Sequence, residues 1–131
     1  MSKAISNKNV ADAKFAPAPF DGPFKAALGR PELKGSWLIF GKSGSGKTTF
    51  ALQLAKYLTR FVDKVAFDSL EQGLSLSMQK AWKRVDMAAA GSKVIFLDKE
   101  SLPELRDRLS KRKSPNVIII DSVICLVGMR L

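Results

Sequence analysis

Two hydrophobic periods take turns along this chain. Short apolar runs rich in strand formers fall at residues 36–40 (SWLIF), 64–70 (KVAFDSL), 93–98 (KVIFLD) and 117–121 (VIIID). Between them the apolar positions recur at helical spacing. Leu54, Leu58, Phe61 and Val62 share one face of a helix predicted over 49–62, with Ala51 and Ala55 beside them. Leu74, Met78, Ala81, Trp82 and Val85 predict a second helix, with Lys80, Lys83 and Arg84 on its other face. Ser101-Leu102-Pro103-Glu104 is a capping-box pattern with proline in the first turn, so a third helix starts there. Its apolar stripe is Leu102, Leu105 and Leu109, and Ser114-Pro115-Asn116 ends it.

The order strand, loop, helix, strand, helix, strand, helix, strand is that of parallel βαβ units. It predicts an α/β three-layer domain with a mostly parallel sheet. The unbroken VIIID run predicts burial on both faces. Ligands in such sheets bind beyond the carboxyl ends of the strands. Residues 1–19, small, polar and lysine-bearing and closing on Ala16-Pro17-Ala18-Pro19, predict a flexible tail ahead of a domain over 20–131. Phe15, Phe20 and Phe24 are close enough together to anchor that segment to the domain, a reading preferred to a partner-binding motif. Asp21-Gly22-Pro23 is a turn signal, and 28–31 (LGRP) a second break.

Composition narrows the chemistry. A chain of 131 residues, 46% hydrophobic, suffices for one domain, burying roughly two-thirds of its unfolded surface without staples. One cysteine, Cys125, and no histidine exclude an intrachain disulfide framework, a Cys/His zinc site and histidine acid–base machinery. No apolar run approaches the roughly 18–20 residues that span a bilayer, and the N-terminus MSKAISNKNV lacks the apolar core of a signal peptide. A cytoplasmic protein follows as the expectation. The net charge of +10 favours polyanionic partners, nucleic acid first among them.

Residues 41–48 read Gly41-Lys42-Ser43-Gly44-Ser45-Gly46-Lys47-Thr48 and match G-x-x-x-x-G-K-[ST] at every fixed position, between a predicted strand and a predicted helix. The glycines allow backbone dihedrals that bring successive amides onto phosphate oxygens. The helix that follows adds unpaired amides and the positive end of its dipole. Lys47 is placed for the β- and γ-phosphates, the Thr48 hydroxyl for Mg²⁺, and Thr49 for the α-phosphate. The expected ligand is a nucleoside triphosphate.

Asp121 closes its apolar strand in the manner of a Walker B motif, suited to the Mg²⁺ shell opposite Thr48. Glu71, at the end of the second strand, is the candidate base for the water that attacks the γ-phosphate. Asp68 competes, but strand alternation would have to turn it toward the nucleotide.

These three motifs, GKSGSGKT, FDSLEQG and NVIIIDSV, resemble in order and spacing the RecA-type ATPase superfamily, the RadA and DnaB-helicase branch and related phage or plasmid ATPases above all. The resemblance covers residues from about 28 to 127. It implies ATP, Mg²⁺, rings or filaments of the chain, and single- or double-stranded DNA as partner. It also supports Glu71, since an acidic residue at that strand end activates water in the family.

The chain departs from the pattern in one respect. RecA-type domains continue well past the Walker B strand, and their next strand lies between it and the P-loop strand. Here 122–131 (SVICLVGMRL) remain. Either that segment serves as a makeshift strand, or a partner fills the gap, or the product is truncated and C-terminally incomplete, the last being preferred. Two other functions stay open: a small-molecule kinase, and a non-hydrolysing nucleotide sensor or DNA-binding adaptor.

Overall fold

The computed structural model describes residues 4–31, 37–39, 46–121 and 124–127. The chain divides into two units, Met1–Leu33 and Lys34–Leu131. In the first, helix α1 (Asn7–Asp12) is capped by Ser6, whose Oγ accepts from the Asn9 amide at 3.2 Å. Helix α2 (Gly22–Leu28) opens with Pro23 in its first turn, where a missing N–H costs nothing, and stops at Gly29. The Asp21-Gly22-Pro23 turn signal is thus the start of a helix. The Ala18 amide donates to the Pro31 carbonyl at 2.8 Å, which ties the two ends of this stretch together. Of the three phenylalanines, Phe20 is fully buried, Phe24 half-buried and Phe15 exposed.

The second unit is built on a five-stranded sheet. Its strands are β1 (Trp37–Ile39), β2 (Val65–Ser69), β3 (Val94–Asp98), β4 (Val117–Asp121) and β5 (Ile124–Val127), in the order β1-β5-β4-β2-β3. Strand β2 pairs in parallel with β3 on one side and with β4 on the other. Every residue of β2 and β4 is buried, as their apolar runs require. The α/β expectation holds, and four of the five strands run the same way.

The exception is β5. It lies antiparallel to both β4 and β1, with Leu126 opposite Ile119 on one side and Trp37 on the other. The segment after Asp121 therefore supplies the strand between β1 and β4, and their facing backbone groups find partners within this chain.

Helix α3 (Lys47–Leu58) begins as soon as β1 and its loop are past, and buries Ala51, Leu52, Leu54, Ala55 and Leu58 against β2 and β4. Helix α4 (Leu76–Arg84) shares this face of the sheet. Its Trp82 meets Phe67 of β2 and Phe96 of β3 edge to face, with centroids 6.3 and 5.6 Å apart. Ser75 caps α4 by accepting from the Met78 amide at 3.2 Å, so Leu74 falls outside the helix and stays exposed. Two short 3-10 turns, Met87–Lys93, break at Gly91 and lead into β3.

Helix α5 (Leu102–Ser110) packs on the opposite face. Leu105 and Leu109 meet Ala66, Ile95, Leu97, Ile118 and Ile120 there, the alternate residues of their strands. The capping box forms as the sequence requires: Ser101 accepts from the Glu104 amide and the Glu104 carboxylate accepts from the Ser101 amide, a device worth about 1 kcal/mol. Leu102, at the first helical position, is exposed instead of joining the stripe. Helices on both faces complete the three layers.

Candidate nucleotide-binding site

Gly41, Lys42, Ser43, Gly44 and Ser45 lie outside the described residues, so the site is built here from Gly46 onward. Gly46 caps α3 with φ 85°, a left-handed conformation that suits glycine, and its carbonyl accepts from the Phe50 amide at 2.9 Å. This turn leads from the glycine-rich motif into the first turn of α3, the end of a helix where backbone N–H groups have no intrahelical acceptor.

The Thr48 hydroxyl, in the first turn of α3, donates to Oδ2 of Asp121 at 3.0 Å. The two residues lie 73 positions apart in sequence and come together because α3 packs over the carboxyl end of β4. Asp121 is paired in register with Ser69, so both face the α3 side of the sheet. Its side chain is 4% exposed. Burial pushes the Asp121 carboxyl above the usual aspartate range, and Glu71 nearby adds to this; the Thr48 hydroxyl and Lys47 pull it back down. A buried carboxylate with one hydroxyl donor beside it suits a hard divalent cation, which prefers oxygen ligands and takes one or two carboxylates alongside phosphate oxygens and water. The residues present fit Mg²⁺.

Glu71 is exposed on the same rim. Its backbone is fixed by its neighbours: the Asp121 carbonyl accepts from the Leu70 amide at 2.9 Å and from the Glu71 amide at 3.3 Å. The loop is also closed on itself, with the Gly73 amide donating to the Ser69 carbonyl at 3.0 Å and the Ser69 hydroxyl to the Gly73 carbonyl at 3.3 Å. Asp98, at the end of β3, accepts from the Leu74 amide at 2.9 Å and pins the far side.

Asp68 is turned away. It shares the α5 face of the sheet, where its Oδ1 accepts from the Glu100 amide at 2.9 Å and its Oδ2 has no partner among the described residues. Burial raises the Asp68 carboxyl, Glu100 and Glu104 raise it further, and that amide bond and Arg108 oppose them. Arg108 itself is paired with Glu100. Strand alternation thus sends Asp68 to the α5 face, while Glu71, in the turn after β2, lies exposed on the rim beside Asp121.

Two residues join the site that sequence reasoning did not place there. Asp98 carried no signal beyond ending a strand. Arg84, placed by the sequence on the face of its helix opposite the apolar stripe, donates from Nη2 to the Thr49 hydroxyl at 3.2 Å. No helix among the described residues is long and apolar enough to cross a membrane.

Comparison with known proteins agrees with this geometry. The model of the ATPase family associated with various cellular activities (AAA) matches residues 37–130, from the first strand through the last. The DNA repair and recombination protein RadB of Methanosphaera stadtmanae is 31% identical over 95 residues, covering 67% of this chain and 41% of that protein. The chain thus spans about two-fifths of the length of this relative. No solved structure matches the chain. With a phosphate-binding motif leading into a helix whose second residue is bonded to a strand-end aspartate, and a family match over most of its length, this chain belongs to the AAA family of P-loop ATPases.

Proposed function

We propose that this chain is a RecA-type ATPase domain of the RadA and DnaB-like branch, binding Mg-ATP and hydrolysing it in DNA recombination, repair or replication in the cytoplasm. The observation that carries the reading is the Thr48 hydroxyl 3.0 Å from the buried Asp121 carboxylate, at the helix start that follows GKSGSGKT. Gly41 to Gly46 would supply amides to the phosphates, Lys47 its ammonium to the β- and γ-phosphates, and Thr49 its hydroxyl to the α-phosphate. Thr48 and Asp121 would hold Mg²⁺, which when bound neutralises phosphate charge. Glu71, on a loop hung from the Asp121 carbonyl, would orient and deprotonate the attacking water. The RadB likeness supports the DNA role and the choice of branch, as does the +10 net charge. Self-association into a ring or filament accompanies that branch.

Phosphate release from Mg-ATP, with and without single-stranded DNA, tests the proposal. Release stimulated by DNA is expected, together with loss of ATP binding in Lys47→Ala. Transfer of the phosphate to a metabolite would instead make the chain a kinase, and tight binding with no release a nucleotide sensor. Near-normal ATP binding by Lys47→Ala would overturn the site itself.

A further inference from the structure

We infer that Arg84 is a second cation of the nucleotide site, binding the phosphate nearest the nucleoside while Asp121 and its metal serve the other end; this rests on the P-loop reading above. Thr48 and Thr49 are consecutive in α3, so their side chains leave the helix about 100° apart. Thr48 faces the sheet and meets Asp121 at 3.0 Å; Thr49 faces α4 and meets the Arg84 guanidinium at 3.2 Å. The first turn of α3 therefore presents one hydroxyl on each flank, each joined to a charged side chain from a different element. A polyphosphate lying across this helix start has its metal-bound end on the Thr48 flank. The flank of Thr49 and Arg84 is left for the end that carries the sugar.

The chemistry of Arg84 points the same way. It sits in the last turn of α4, where the helix dipole favours a cation. Among the described residues it has no carboxylate partner; its one bond is to a neutral hydroxyl. A guanidinium has five N–H donors in a planar fork, so this bond leaves the charge uncompensated and donors to spare. Accepting from Arg84 leaves the hydrogen of the Thr49 hydroxyl available to donate. Hydroxyl and guanidinium then form a joint donor set of the kind that suits a phosphate oxygen pair. Lys83 and Lys80, on the exposed face of the same helix, make no such bond to α3.

Calorimetric titration of the full chain with Mg-ATP and with Mg-ADP, in the parent and in Arg84→Gln and Thr49→Val, tests this. Arg84→Gln removes the charge and keeps most of the side chain's length. Its affinity for both nucleotides is expected to fall by about tenfold and by the same factor, because both carry the phosphate concerned. Thr49→Val is expected to weaken both nucleotides less. Unchanged affinity in Arg84→Gln overturns the inference and leaves the P-loop intact. A loss confined to Mg-ATP overturns it too, since Arg84 would then serve the terminal phosphate. A parent protein that binds neither nucleotide brings down the P-loop reading itself. Should Arg84→Gln fail to melt cooperatively, Arg84→Lys replaces it: a loss of threefold or more for both nucleotides supports the assignment, and parental affinity overturns it.

Discussion

The Glu71 amide donates to the main-chain carbonyl of Asp121 at 3.3 Å, so the proposed base and the proposed metal ligand share a piece of backbone. A shift of β4 by a fraction of an ångström moves both. Glu71→Gln keeps that amide bond and removes only the carboxylate. Nucleotide affinity is expected to hold while turnover at saturating Mg-ATP falls by roughly 10²-fold or more. Unchanged phosphate release would place the base elsewhere.

Thr48→Val removes the hydroxyl that, among the described residues, is bonded to the Asp121 side chain, and leaves a buried carboxylate without it. Urea denaturation should show a loss of about 1–3 kcal/mol. The Mg²⁺ concentration needed for half-maximal nucleotide binding should rise at the same time. A variant with parental stability and parental Mg²⁺ dependence would mean the contact is idle.

Gly73 and Gly91 make a matched pair of tests. Both have positive φ, 62° and 60°. A methyl group on Gly73 would meet Asp98 Oδ1 at 2.6 Å and Lys99 Cε at 2.7 Å; one on Gly91 meets nothing within 4 Å. Gly73→Ala must therefore displace the Asp98 carboxylate that accepts from the Leu74 amide, a cost of about 1–3 kcal/mol on top of its own backbone strain, whereas Gly91→Ala meets strain alone, at φ 60° and ψ −137°. Because the Gly73 loop carries Glu71, turnover should also fall in Gly73→Ala with KM little changed. A Gly73→Ala variant with the parental melting temperature would contradict the close approach.

Asp68 gives the fold a dependence on pH. Burial raises its folded-state value above the ordinary 3.8, so between the two values the folded chain holds a proton that the unfolded chain has lost. This group's contribution to stability is full below about 3.8 and is lost as pH rises through the raised folded value. Asp68→Asn keeps the bond to the Glu100 amide and cannot ionise. Relative to the parent it should gain stability across that interval and hold the gain at neutral pH. Denaturation curves of the two proteins that run parallel from pH 3 to 8 would refute this.

What could be read from the sequence was whatever a local signal encodes. Ser101 and Glu104 specify their own helix start, and VIIID specifies a strand buried on both faces. Residue alternation along β2 was enough to turn Asp68 away from the α3 face. The position of β5 was not legible in this way. Only Ser122 and Val123 separate it from β4, without the Asn-Gly or Asp-Gly pair that marks a tight hairpin, and its place is set by two strands that lack a neighbour. Asp98 and Arg84 were missed for a related reason. Each acts through one bond to a residue distant in sequence, Leu74 and Thr49, and no spacing rule reports a contact made by packing.

Strand β1 touches the sheet through β5 alone, at Trp37, Leu38 and Ile39. The segment that delivers the phosphate-binding loop is therefore anchored at second hand, by a four-residue strand that must itself be zipped onto β4 first. On the function proposed above, ligand and hairpin are expected to stabilise one another. Slow amide exchange in residues 124–127 should be a property of the nucleotide-loaded protein, and whatever peels that hairpin away would unload the pocket without touching a single residue in it.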